Sequence, residues 1–154
     1  MPDNNLYKTA LNKTMALCSR REYCTDDIRN KLRTWELSSE DSEKIIKTLI
    51  SENFINEVRY ANAFVRDKFN YNKWGKVKIS VYLRRKKISS KMINTALAGI
   101  DEELYKKTLK ELITNHRKTT RARNDYELKG KLLRFGLSKG YESHLVYDIL
   151  GEIE

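Results

Sequence analysis

Nine lysines and arginines lie between Lys68 and Ile100 with no acidic residue among them: Lys68, Lys73, Lys76, Lys78, Arg84, Arg85, Lys86, Lys87 and Lys91. The chemistry open to such a run is electrostatic. It raises the local concentration of a polyanion and pairs with phosphate backbones or an acidic protein face. Elsewhere the charges nearly cancel: eleven basic against eleven acidic residues from Met1 to Asp67, and eleven against ten from Asp101 to Glu154. The net charge of +10 therefore belongs almost wholly to the middle of the chain. A solvated helix surface is the plain alternative, but the missing acids favour a binding surface.

Trp74 and Tyr71 stand among Lys73, Lys76 and Lys78, an arrangement that can stack on bases or pack against a protein partner, with burial in the core as the alternative. Arg84, Arg85, Lys86 and Lys87 close a predicted helix. The helix dipole favours cations there, yet four in succession exceed what a helix end requires. Arg20, Arg21, Arg29 and Arg33 lie in or near an earlier helix and either extend the basic face or only solubilise it. His116, Arg117, Lys118, Arg121 and Arg123 form a second basic patch in a predicted loop, expected to order on binding.

Catalytic chemistry finds little support. The chain has two histidines, His116 and His144, without metal-ligand spacing, and His144 reads as a partly buried helix residue. Gly75-Lys76 and Gly130-Lys131 run into Val77 and Leu132, so neither completes a phosphate-cradling loop. Cys18 and Cys24 read as ordinary reduced side chains, and the acids as surface partners of lysines. No catalytic residue, metal or cofactor is expected, and the chain reads as a binding protein rather than an enzyme. No apolar run approaches the about 20 residues that span a bilayer, and Met1 to Ala10 lacks a signal pattern, so a cytoplasmic protein without membrane contact is expected. At 154 residues there is room for one compact domain or a short array of helical units, expected as a monomer.

Positioning such a face requires helices, and the apolar periodicity supplies them. Tyr7, Ala10, Leu11, Thr14, Met15 and Cys18 recur at helical spacing, as do Ile45, Ile46, Leu49 and Ile50, and Leu104, Tyr105, Thr108, Leu109, Leu112 and Ile113. Thr25, Ser38, Ser89 or Ser90, and Asn124 mark helix starts. Proline occurs only at Pro2, and no alternating strand pattern competes. The fold class is all-α.

The chain also matches itself. A shift of 51 carries Ala10, Ile28, Leu32, Leu37, Ile46 and Leu49 onto Ala61, Ile79, Leu83, Ile88, Leu97 and Ile100, and a shift of 53 carries Ile79, Ile88, Leu97 and Ile100 onto Leu132, Tyr141, Leu150 and Ile153. Leu83 fails, falling on Gly136. Three tandem three-helix repeats are expected, at residues 1–58, 59–101 and 102–154, with neighbours burying each other's apolar faces.

The residues themselves have a family character. Leu17-Cys18-Ser19-Arg20-Arg21-Glu22-Tyr23 is followed by Asp27-Ile28-Arg29-Asn30-Lys31-Leu32, then by Asn53-Phe54-Ile55-Asn56-Glu57-Val58-Arg59-Tyr60-Ala61 and Phe64-Val65. Lys73-Trp74-Gly75-Lys76-Val77-Lys78-Ile79, Leu83, Lys87-Ile88, Arg134-Phe135 and Lys139-Gly140-Tyr141 continue the pattern. Together these resemble the RecX family of bacterial regulatory proteins, from about Leu11 to Ile153. The chain departs from the family habit at Asn56-Glu57, where paired aspartates are common, at Asn53 in place of glycine, and at Cys24 in place of a small hydroxyl residue.

The resemblance implies an elongated, curved array that lies in the groove of the RecA–DNA filament. It implies lowered RecA ATPase and strand exchange in recombination and DNA repair, with no cofactor. The partners it implies are the RecA recombinase filament and single- or double-stranded DNA through phosphate contacts. Direct binding of nucleic acid without a filament, or of an acidic protein alone, remain the alternatives.

Overall fold

The computed structural model describes residues 4–153. Among them the chain forms nine α-helices and no strand: α1 (Asn4–Arg20), α2 (Thr25–Thr34), α3 (Ser39–Ser51), α4 (Glu57–Asn70), α5 (Lys76–Arg85), α6 (Ser90–Leu97), α7 (Glu102–Thr119), α8 (Asp125–Ser138) and α9 (Ser143–Glu152). They group as three repeats of three.

Side-chain oxygens open most of these helices, satisfying amides that have no partner within the helix. Ser38, Ser89 and Asn124 accept from the backbone N–H of Asp41, Met92 and Glu127 at 3.1, 3.3 and 2.8 Å. Asn56 and Asp101, which the sequence reading passed over, do the same for α4 and α7. At α2 the expected cap shifts by one residue. Thr25 is already helical, and the cap is Cys24, whose Sγ accepts from Asp27 N–H at 3.4 Å while the Asp27 carboxylate accepts from Cys24 N–H at 3.4 Å. Sulfur thus fills the place of a hydroxyl oxygen in a capping box. Burial pushes the thiol pKa up to about 12, so Cys24 stays protonated.

The repeat phase is written in the backbone. Glu36, Lys87 and Gly140, separated by 51 and 53 residues, adopt φ of 62°, 63° and 94° directly after the middle helix of each repeat. After each, a buried apolar residue turns back to donate its N–H to the helix: Leu37 to Leu32, Ile88 to Leu83 and Tyr141 to Gly136, at 3.1, 3.2 and 3.3 Å. The single failed match, Leu83 against Gly136, is the same point of this turn. A Cβ on Gly136 would meet Val146 Cγ1 at 2.9 Å, so in the third repeat Val146 occupies the space that a side chain at this position would need. Asn53 likewise adopts φ 61°, the conformation that makes glycine usual there.

The first repeat has its own core, built on Ile28, Leu32, Ile45, Leu49 and Ile55. The second and third share one, running from Ile79 and Leu83 through Tyr105, Leu109 and Ile113 to Leu132, Tyr141 and Val146. Ile50 and Leu104, counted in the buried stripes from spacing, are 50% and 47% exposed at the edges. Backbone contact welds the shared core. Gly75 N–H donates to Lys139 C=O at 2.7 Å, and Val77 N–H to Gly140 C=O at 2.9 Å. The buried Tyr105 hydroxyl accepts from Lys76 N–H at 2.9 Å and donates to Glu142. Tyr141 donates to Lys73 C=O at 3.0 Å.

Candidate nucleic-acid interface

Helices α4 and α5 bring three cations, Lys68, Lys78 and Arg85, around a small aromatic cluster. Trp74 is half-buried, its ring 6.5 Å from Phe64 and 4.7 Å from Tyr82. Lys78 Nζ lies 4.5 Å and Lys68 Nζ 4.9 Å from the Trp74 ring centre, and the Arg85 guanidinium lies 4.9 Å from that of Tyr82. The turn before α9 contributes Lys139, whose amine donates to Asn72 C=O at 3.0 Å. Burial and the nearby Lys78 hold the Lys139 pKa below its ordinary value. Among the described residues Lys68, Lys78, Arg84, Arg85 and Lys139 have no carboxylate partner. Cations that crowd one another around a π-face offer a phosphate what they lack internally, and the ring edges offer a base a stacking surface.

The basic quartet at the end of α5 divides in two. Arg84 and Arg85 belong to the helix and are exposed. Lys86 is the C-cap and Lys87 carries φ 63°, so the chain reverses and both amines face the first repeat. Lys86 Nζ meets Asp27 Oδ1 at 2.6 Å and Lys87 Nζ meets Asp26 Oδ1 at 3.4 Å, with the aspartate side chains only 12% and 15% exposed. These two acids are therefore not the surface partners expected from sequence. Arg59 adds a second tie across the same junction, to Glu22 Oε2 at 2.7 Å, while also donating to Asn53 and Phe54 carbonyls.

The hydrogen bond to Asp27 raises the Lys86 pKa. For Asp27, burial pushes the carboxyl up, but hydrogen bonds from Lys86 and Cys24 outweigh it and leave the pKa below its ordinary 3.8. A carboxyl depressed in the folded state stabilises it fully above the unfolded-state value and ceases to do so as pH falls through the folded one. Asp27→Asn is expected to cost about 1–3 kcal/mol at neutral pH, with the penalty shrinking below the ordinary value. Urea unfolding of both proteins at pH 7 and near pH 3 reads this out; an equal difference at the two values would sink it.

The other residues singled out from sequence scatter. Lys76 turns inward to Glu102 and lies over the Tyr105 ring at 4.6 Å. Lys73 is exposed at φ 58°. Arg29 pairs with Glu43 at 2.9 Å within the first repeat. Arg33 is exposed beside Asn30, Arg20 is exposed at the end of α1, and Arg21 lies over Tyr23 at 4.2 Å. The predicted loop over His116, Arg117 and Lys118 is instead the last turn of α7, because the helical period runs on to Thr119. His116 stacks on Phe135 at 3.8 Å, Arg117 donates to Ile153 C=O at 2.8 Å, and Lys118 is exposed. Arg121 and Arg123 do lie in the connection to α8, Arg123 pairing with Glu127 at 2.7 Å. His144 is on α9 but exposed, not partly buried. Tyr82 and Lys139, which complete the Trp74 cluster, were not singled out. Tyr82 lies two turns into α5 from Trp74, a helical spacing that could have found it, whereas Lys139 reaches the cluster only through the third repeat's turn.

Among the described residues no group of three His, Cys, Asp or Glu is placed to hold a metal ion, and no helix is long and apolar enough to cross a membrane. Fold and site together define an all-helical repeat protein with an uncompensated cationic, aromatic face.

The description "RecX, second three-helix domain" matches residues 56–97. Regulatory protein RecX of Clostridium botulinum (strain Alaska E43 / Type E3) is 36% identical over 129 residues, 81% of this chain and 59% of that protein. The Clostridium acetobutylicum regulatory protein RecX is 28% identical over 98% of this chain and 71% of its own length. Two crystal structures share the fold. A regulatory protein RecX has TM-score 0.86 and 24% identity, covering 96% of this chain and 72% of that one. RecX from Lactobacillus salivarius has TM-score 0.80 and 22% identity, covering 96% of each chain. The chain is similar to RecX proteins in its second three-helix domain, in sequence over most of its length and in fold. It spans 59% of the length of the C. botulinum relative.

Proposed function

We propose that this chain regulates the RecA recombinase by binding its DNA filament and lowering ATP hydrolysis and strand exchange. The observation that carries the reading is the carboxylate-free cluster of Lys68, Lys78, Arg85 and Lys139 around Trp74 and Tyr82, continued by Arg84. All of it but Lys139 lies within residues 56–97, which match the family description, and the relatives bear the name regulatory protein RecX. Such a face reads charge and stacking, not base sequence. An array of repeats can lay it along a filament, so that one molecule meets several protomers through many modest contacts. The same cluster also supports a second reading, direct binding of nucleic acid with no filament target.

Single-stranded-DNA-dependent ATP hydrolysis by the RecA of the same cell separates them. The protein should suppress hydrolysis well below one molecule per RecA protomer, and Arg84→Gln/Arg85→Gln should weaken that suppression about tenfold. No suppression, with naked DNA still bound, replaces the filament reading with the second one.

A further inference from the structure

Outside the Trp74 face, α8 and α9 enclose an open groove of about 900 Å³ on the third repeat. Its walls carry Tyr126 and Tyr147, 89% and 60% exposed, which belong to neither core. Its lining includes two glycines, Gly130 and Gly151. Glycine in a helix interior destabilises it, so Gly130 within α8 needs a reason, whereas Gly151 lies in the last turn of α9. Gly75 and Gly136 have one, since a Cβ there would collide with neighbouring atoms at 2.3 and 2.9 Å. Gly130 and Gly151 have no such reason. A Cβ on Gly130 would meet only the Arg134 guanidinium at 3.6 Å, and one on Gly151 nothing within 4 Å. Neither has a positive φ. Their bare backbone leaves open space in the groove that Tyr126 and Tyr147 also line.

The groove is also cationic. Arg134 is exposed and without a carboxylate partner among the described residues, while Arg123 and Lys131 share the single carboxylate of Glu127, at 2.7 and 3.3 Å. Tyr126 stands on a turn of helix the second repeat lacks: Lys76, which begins α5, falls on Lys129 when shifted by 53, yet α8 begins at Asp125.

We propose that this groove is a single-stranded nucleic-acid subsite, in which unpaired bases stack on Tyr126 and Tyr147 while Arg134 and Lys131 contact phosphates. Exposed tyrosines beside a glycine floor suit planar rings, and only a single strand presents its base faces; a duplex hides them within its own stack. An acidic peptide would use the cations but leave the tyrosines and the glycine floor without a role.

The subsite stands on the third repeat alone and needs no recombinase, so it is tested without one. The probes are a fluorescent oligothymidylate, a duplex of the same length, and polyglutamate as competitor. Gly151→Leu fills the groove from an open helix position, and Tyr126→Ala/Tyr147→Ala removes the stacking faces; both variants should keep the parent circular dichroism. Each should weaken the single strand about tenfold and leave the duplex within twofold, and 5-iodouracil in the oligonucleotide should cross-link to Tyr126 or Tyr147. Single-strand affinity within twofold of the parent overturns the proposal. Equal losses for single strand, duplex and polyglutamate overturn it in favour of an unspecialised anion surface. Either failure leaves the Trp74 cluster and the filament assay untouched.

Discussion

Gly75→Ala is expected to lower the stability of the protein by about 3–4 kcal/mol and its melting temperature by roughly 10 °C. Gly75 lies in ordinary extended backbone, φ −79°, so its role is closeness and not conformational freedom. A Cβ there would stand 2.3 Å from Gly140 C and O and 2.5 Å from Tyr141 N. All three are backbone atoms, with no flexible side-chain end to move aside. The start of α5 would have to withdraw from the α8–α9 turn, breaking the 2.7 Å bond from Gly75 to Lys139 and the 2.9 Å bond from Val77 to Gly140. Overpacking of this kind costs about 1–3 kcal/mol, and each lost backbone bond about 0.5–1.5. Because the second and third repeats share one core, the damage falls on both. Gly151→Ala is the matched control: with nothing within 4 Å, it should change stability by no more than about 0.5 kcal/mol. Urea unfolding of the three proteins decides it, and a Gly75→Ala loss under about 1 kcal/mol would show that the two backbones are not packed as described.

How much of this could be read beforehand depends on the range of the interaction. Helix periodicity and caps at Ser38, Ser89 and Asn124 are local, and the structure repeats them. The phase of the repeat was legible from apolar matches between Ala10 and Ile100, although the failure at Gly136 became intelligible only once Val146 was seen to occupy its place. Cys24 as a cap was hidden, because sulfur is a weak acceptor and seldom takes that role. The basic run from Lys68 to Lys91 was plain as charge, but not its division. Whether Lys86 and Lys87 face solvent or Asp27 and Asp26 depends on residues about 60 positions away and on a left-handed turn at Lys87 that a lysine does not announce. Lys139 and Tyr82 were missed for the same reason: the Trp74 cluster is assembled from α4, α5 and a turn of the third repeat, and no single stretch of sequence contains it.

That division sets the second large effect. Lys68→Gln/Lys78→Gln/Arg84→Gln/Arg85→Gln should reduce affinity for naked duplex DNA about 100-fold near 0.1 M salt, and make the plot of log affinity against log salt shallower by about 3–4. These four cations have no carboxylate partner among the described residues, so their counterions are free to be released when phosphates replace them. Lys86→Gln/Lys87→Gln removes half as many charges but different physics. Asp26 and Asp27 already neutralise those amines at the repeat junction, so the salt slope should move by less than about 1. What changes instead is stability, because two largely buried carboxylates lose their partners. The paired measurements distinguish a face from a latch within the basic stretch from Lys68 to Lys87. If the two variants shift the salt slope equally per charge removed, the quartet acts as one solvated surface and the assignment of Lys86 and Lys87 to the junction fails. If the first variant leaves the slope unchanged, the Trp74 cluster is not where phosphate binds.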